Sequence, residues 1–145
     1  MSNEHLHQLL LADDDLNCRE TLREFFVREG FRVQVAETGE EALTLLRQFK
    51  IDVSVMDVHM PDLTGPEVLR RLLKEMGGQA IPPTILVSSD GAAETLLYSL
   101  TGVHLGFLKK PIQLGALRRS VKQMLFRSQW PPLPGLGNLP LGLPD

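Results

Sequence analysis

Between residues 6 and 126, short apolar runs alternate with longer amphipathic stretches, and this alternation leaves the chain very few folds. The runs fall at residues 6–12, 31–35, 53–56, 84–87 and 104–108. Each is long enough for a strand and too short for a helix. Between them the apolar residues recur at helical spacing. Leu22, Phe25 and Phe26 share a face that Gly30 closes, and Asp15 is placed to cap its start. Thr38-x-x-Glu41 and Thr64-x-x-Glu67 each match a capping box. They lead into stripes at Ala42, Leu45, Leu46 and Phe49, and at Val68, Leu69, Leu72, Leu73 and Met76. A fourth helix is expected over about residues 92–100, where Ala92, Ala93, Leu96, Leu97 and Leu100 are apolar. A fifth carries Leu114, Leu117, Val121 and Leu125 on one face.

Strands and helices in strict alternation, joined by short loops, imply a parallel sheet covered on both faces. In the second strand Phe31, Val33 and Val35 alternate with Arg32 and Gln34, which gives it one wet face and an edge position. The order is then 2-1-3-4-5, a flavodoxin-like (βα)5 three-layer α/β sandwich. That order brings particular side chains to one edge of the sheet. Asp13 and Asp14 end the first strand, Asp57 the third and Ser88 the fourth, while Lys110 follows the fifth.

Three carboxylates held close together repel, and such a cluster stays ionised only with a cation among them. Oxygen ligands without a Cys or His pair favour Mg²⁺, or Mn²⁺, over zinc. Beside such an ion Asp57 is suited to nucleophilic attack on phosphorus, giving an aspartyl phosphate. Lys110 would supply a mobile positive charge to a phosphoryl oxygen, and Ser88 a hydroxyl donor to another. Taken singly, Asp13–Asp15 also read as a solvated loop with a helix cap, Lys109–Lys110 as a solvated turn and Ser88 as a loop residue. Their joint placement at neighbouring strand ends favours a site.

The totals bound the alternatives. A chain of 145 residues holds one domain, expected over residues 1–126, and a tail over 127–145. A net charge of −3, with no helix-turn-helix or zinc-finger spacing, argues against direct nucleic-acid binding. No apolar run reaches the ~18 residues of a membrane span. The single Cys18 fits a reducing cytoplasm. His5 and His7 read as frayed-terminus or strand-edge residues rather than as a metal pair. From about residue 127 the composition turns to Pro, Gly and Leu. That segment reads as a disordered tail or linker stub, with a docking segment anchored by Trp130 and the leucines as the alternative.

The stretches LLLADDD, DVSVMDVHMPDLTG, TILVSSD and GFLKKPI, in that order, resemble the receiver domain of two-component response regulators. The resemblance covers residues 6 to about 126, either as a stand-alone receiver similar to CheY-like proteins or as a piece of a longer regulator. It implies that Asp57 is the phosphoacceptor, and that Asp13 and Asp14 hold Mg²⁺ with Asp57 and the backbone carbonyl of His59. It implies that Ser88 and Phe107 act as switch residues, that Lys110 contacts the phosphoryl group, and that the Lys110–Pro111 bond is cis. His59 and Asp90 would tune hydrolysis. The implied partners are a histidine kinase or histidine phosphotransfer protein and a downstream protein bound by the fourth-helix, fifth-strand, fifth-helix face. The implied state is a monomer or phosphorylation-dependent dimer in the cytoplasm. Catalysis would be limited to self-catalysed phosphotransfer and autodephosphorylation. Ser89, where Ala or Gly is common, and Thr101-Gly102-Val103 depart from the family pattern.

Two other classes share parts of this chemistry. A Mg²⁺-dependent phosphatase or phosphotransferase also uses an aspartyl nucleophile, but usually needs a second Asp two residues on, where His59 stands. A flavin module needs a Ser/Thr/Gly-rich phosphate loop after the first strand, where this chain has Asp13-Asp14-Asp15.

Overall fold

A computed structural model describes residues 6–90, 100 and 102–129, with side chains to residue 126. Five parallel strands form one sheet in the order β2-β1-β3-β4-β5. They are β1 (Gln8–Ala12), β2 (Arg32–Ala36), β3 (Val53–Asp57), β4 (Thr84–Ser88) and β5 (Leu105–Lys109). The described helices are α1 (Leu16–Arg28), α2 (Gly39–Gln48), α3 (Gly65–Met76) and α4 (Leu114–Gln129), with a short 3₁₀ turn at Gly78–Ala80. Here α4 is the last helix. The helix expected over about residues 92–100 lies outside the described residues except for Leu100, which is buried. The tail from residue 130, His5 and Ser89's neighbours from Gly91 on also fall outside them or at their border.

Alternation along the strands builds two cores. Leu10 and Ala12 of β1 face one side of the sheet with Met56 and Leu86, against α2 and α3. Leu9 and Leu11 face the other with Val53, Val55, Ile85 and Val87, against Phe26 of α1 and Leu117 and Val121 of α4. Successive residues of a strand point to opposite faces, so an unbroken apolar run is what a strand covered on both sides needs. β2 lies at the edge of the sheet: Arg32 is exposed and Gln34 half-buried on the expected wet face, but Val35, expected on the covered face, is exposed as well.

The helix starts are fixed by side chains. The carboxylate of Asp15 accepts from the Asn17 N–H, and Thr38 accepts from the Glu41 N–H. At α3 the box is complete, since Thr64 accepts from the Glu67 N–H while Glu67 accepts from the Thr64 N–H. At α2 it is only half formed. Glu41 accepts from the Glu37 N–H at 2.7 Å instead of from the Thr38 N–H.

Two close approaches tie the loop after β3 to its surroundings. A Cβ on Gly65 would sit 2.9 Å from the Asp57 carbonyl oxygen, so only glycine lets α3 begin this near the strand end. A Cβ on Gly39 would lie 2.5 Å from the Leu63 carbonyl oxygen. At that contact Asp62 accepts from the N–H groups of Gly39, Glu40 and Leu63 at 2.8, 2.9 and 2.7 Å. A carboxylate from one loop thus closes the N-terminus of a helix elsewhere, where the backbone dipoles favour negative charge.

Candidate functional site

The C-terminal ends of β1, β3, β4 and β5 open onto one crevice. Asp13 and Asp14 follow β1, Asp57 ends β3, Ser88 ends β4 and Lys110 follows β5. In the β3–β4 register Asp57 pairs with Val87, so Ser88 lies one residue beyond it. Carboxylate oxygens of Asp13, Asp14 and Asp57 all lie within 4.8 Å of one another. Asp13 and Asp57 are buried, whereas Asp14 is exposed at the mouth of the crevice.

Each buried carboxylate is held by the loop that follows it. Oδ1 of Asp13 accepts from the Asp15 N–H at 2.9 Å, and Oδ1 of Asp57 accepts from the His59 N–H at 3.0 Å. Lys110 Nζ donates to Asp57 Oδ2 at 3.0 Å and lies 3.9 Å from Asp13 Oδ2. Its backbone N–H binds the Ser88 carbonyl at 2.8 Å, which fixes the start of its loop against β4. The Lys110–Pro111 bond is cis.

Burial pushes the Asp57 carboxyl above its ordinary range, and the Lys110 hydrogen bond and the His59 N–H only partly oppose it. Burial acts downward on Lys110, but the Asp57 hydrogen bond and the charges of Asp13 and Asp57 outweigh it and hold the ammonium up. Lys110 therefore carries its positive charge at neutral pH.

The donor set suits a hard divalent cation. It consists of carboxylate oxygens, as Mg²⁺ and Mn²⁺ prefer. The nearby soft donor is disabled: burial and then a hydrogen bond to Asp13 push the Cys18 thiol up to about 12. A protonated thiol is a poor metal ligand.

Around this centre, Ser88 is buried and its hydroxyl is engaged by Asp90. The Asp90 N–H donates to Ser88 Oγ at 3.2 Å, and Oγ lies 3.4 Å from Asp90 Oδ1. Asp90 Oδ2 is 3.4 Å from His59 Nε2, so His59 and Asp90 join across the crevice mouth. Phe107, on β5, is half-buried and packs against the core that contains Met56, Leu86 and Leu100.

Sequence reasoning missed Arg19. It is buried in α1, where Nη1 donates to the Asp13 carbonyl oxygen at 2.8 Å and Nη2 lies 3.6 Å from Glu37. The signal was present, since Arg19 shares the inward face with Leu22 and Phe26 at helical spacing. A cation in an apolar stripe needs a partner, and here the partner is the backbone of the acidic loop. Asp62 was also missed. Its three backbone donors include two from α2, which no local pattern reveals.

Residues 9–122 match the family described as the response regulator receiver domain. Response regulator MprA of Mycolicibacterium vanbaalenii is 34% identical over 121 residues, which cover 83% of this chain and 51% of the relative. The chain spans about half the length of the curated relatives it matches. Among solved structures, the Francisella response regulator 1452 receiver domain is 30% identical, with a TM-score of 0.74 over 84% of this chain and 98% of that one. Response regulator TrrA from Thermotoga maritima, solved in complex with Mg²⁺-BeF, is 26% identical, with a TM-score of 0.70 over 83% of this chain and 100% of that one.

Proposed function

The chain belongs to the response regulator receiver domain family, and from that premise we propose that Asp57 accepts a phosphoryl group and thereby switches a protein-binding face. The observation that carries this reading is the pairing of Asp57 Oδ2 with Lys110 Nζ at 3.0 Å beside two further carboxylates. The donor is a phosphohistidine of a histidine kinase or of a histidine phosphotransfer protein.

In the transfer an Asp57 oxygen attacks phosphorus, the new P–O bond forms, and the P–N bond to the donor imidazole breaks with its electron pair leaving on nitrogen. The His59 N–H holds the other oxygen and so orients the carboxylate. Lys110 needs to move little to trade the Asp57 oxygen for a phosphoryl oxygen, because its loop is pinned through the Ser88 carbonyl. Asp13, Asp14 and Asp57, with the His59 carbonyl, would hold Mg²⁺ (or Mn²⁺), which when bound neutralises phosphoryl oxygens. Arg19 fixes the Asp13 backbone and so keeps that carboxylate aimed at the crevice.

Output begins at Ser88. Its hydroxyl would leave Asp90 for a phosphoryl oxygen, drawing the loop after β4 toward Asp57. Phe107, half-buried on the neighbouring strand, would turn into the space released. The face formed by the segment after β4, β5 and α4 then changes shape and binds its downstream protein. His59 and Asp90 border the site and would set how readily water attacks the phosphoryl group. The chain's own catalysis is confined to this transfer and to hydrolysis of the aspartyl phosphate, in which water takes the phosphoryl group as inorganic phosphate and Asp57 is restored, as suits a cytoplasmic regulator. Among the described residues no helix is long and apolar enough to cross a membrane.

Incubation with acetyl phosphate and MgCl₂, followed by intact-mass measurement, tests the assignment. The wild type is expected to gain one phosphoryl group and Asp57→Asn none. Phosphoryl uptake by Asp57→Asn at the wild-type rate would remove Asp57 as the acceptor.

A further inference from the structure

Strand β2 is an outer strand of the sheet, and its free edge is unprotected. The Arg32 N–H donates to the His7 carbonyl, and the Ala36 carbonyl accepts from the Asp13 N–H, so both residues turn their backbone groups toward β1. In a parallel ladder the residues between turn theirs away. Val33 and Val35 therefore present two N–H and two C=O groups outward, and among the described residues no strand takes them. Such edges are usually blunted by proline, lysine or a bulge. The opposite outer strand, β5, follows that rule, since it ends in Lys109 and runs into Lys110 and Pro111. β2 has none of the three, and its five residues keep an unbroken register with β1.

The side chains of the strand say what fits beside it. Val35 is 37% exposed. Next to it a shallow groove of about 400 Å³ runs to Glu40, Glu41, Thr44 and Leu45 of α2. Arg32, at the start of the strand, is exposed and has no ion-pair partner among the described residues. It shares a sheet face with Ala36, which packs in the core beneath α2. When a second copy is laid antiparallel about a two-fold axis through Gln34, these features match. Val33 stands opposite the second copy's Val35, and Val35 opposite its Val33, at positions where antiparallel strands exchange both backbone hydrogen bonds. The exposed Val35 is covered. Arg32 stands opposite the second copy's Ala36, on the face where α2 opens with Glu40 and Glu41. Each end of the pairing brings one cation to one acidic turn, and the symmetry satisfies both ends with the same contacts.

We propose that two copies of this chain pair through β2, antiparallel about Gln34, in one continuous sheet of ten strands, five from each copy. The two β5 strands then lie at its far ends. The two Asp57 crevices open on opposite rims of the sheet, because the pairing is antiparallel.

This register places the two Gln34 Cα atoms about 4.5 Å apart, within reach of a disulfide, and the two Arg32 Cα atoms roughly 13 Å apart, beyond it. Under mild oxidation of the full chain, Gln34→Cys is expected to give a covalent dimer on non-reducing gels at least about tenfold faster than Arg32→Cys. The wild type, whose Cys18 is half-buried, sets the background. Sedimentation of the wild type over a concentration series is expected to show a monomer–dimer equilibrium. Val35→Pro removes an outward N–H and leaves the pairing with β1 intact, so it should weaken the dimer roughly tenfold. Thermal melts establish that the variant is folded, and Arg32→Glu, with the same expected loss, decides if it is not. A wild type that stays monomeric at every concentration overturns the proposal and leaves the edge to a strand of another protein. Equal cross-linking of the two cysteine variants overturns it too, as does a dimer of undiminished strength in the folded variant.

Discussion

Lys110 Nζ lies 3.0 Å from Asp57 Oδ2, across 53 residues of sequence, and no second ammonium joins it among the described ion pairs of the site. One positive charge thus faces three clustered carboxylates. The crevice holds more negative charge than it neutralises by itself, and its stability should respond to anything that removes or matches that excess.

Removing the Asp57 charge is the first such change. Burial raises the Asp57 carboxyl above its unfolded value despite the Lys110 and His59 hydrogen bonds. The folded chain therefore holds the proton more tightly than the unfolded chain. Ionised Asp57 lowers stability above its folded pKa, and that penalty fades as pH falls below the unfolded value. In EDTA, Asp57→Asn should melt above the wild type at neutral pH, with the gap closing toward acid. Thermal melts across that range check it, and a lower melting point for the variant at neutral pH contradicts it.

Matching the excess with a cation should act in the same direction. Mg²⁺ bound only by the folded state stabilises by mass action, about 1.4 kcal/mol at ten times its dissociation constant. Urea titrations with and without MgCl₂ should show this gain in the wild type. Asp13→Asn and Asp57→Asn should lose most of it. An equal gain in all three proteins would place the ion elsewhere.

Gly65 is a steric test of how the loop after β3 is built. A Cβ there would meet the Asp57 carbonyl oxygen at 2.9 Å and Leu86 Cδ2 at 3.1 Å, one of them rigid backbone. Gly65→Ala should therefore displace the start of α3 and destabilise by about 1–3 kcal/mol. Phosphoryl uptake should slow with it, since Asp57 and the His59 N–H share that loop. Unchanged unfolding and labelling would mean that α3 can retreat without moving the carboxylate.

Asp62 should show the opposite pH sign to Asp57. Its slight desolvation is outweighed by the N–H groups of Glu40, Leu63 and Gly39, which hold its carboxyl below the ordinary range. The stability it adds is present above the unfolded value and is lost as pH falls through the depressed folded one. Because the group is exposed, Asp62→Ala should cost about 0.5–1 kcal/mol, the lower part of the range for helix caps. Urea unfolding at neutral pH gives the difference, and repetition at acid pH should find it gone.

What the sequence discloses follows from how local its causes are. The two-sided apolar runs of β1, β3 and β4 and the wet face of β2 are written in consecutive residues, so strand order follows from them. Asp13, Asp57, Ser88 and Lys110 stand at the ends of those runs, and the topology gathers them without further help. The contacts that set their orientation are less legible. Asp62 meets Gly39 across 23 residues, and the Thr38 box gives way to a Glu37–Glu41 contact that capping patterns do not encode. Arg19 lay within reach of pattern reasoning, because it breaks an apolar stripe, but its acceptor is a backbone oxygen with no sequence signature.

The four strand ends that build the crevice have a consequence for the timing of synthesis. Asp13 leaves the ribosome well before its partner Lys110, which follows the last strand of the sheet. A nascent chain can carry β1, β3 and β4 in full and still lack the ammonium that faces Asp57. The charge pairing between Lys110 and Asp57 therefore forms only when the sheet itself is complete.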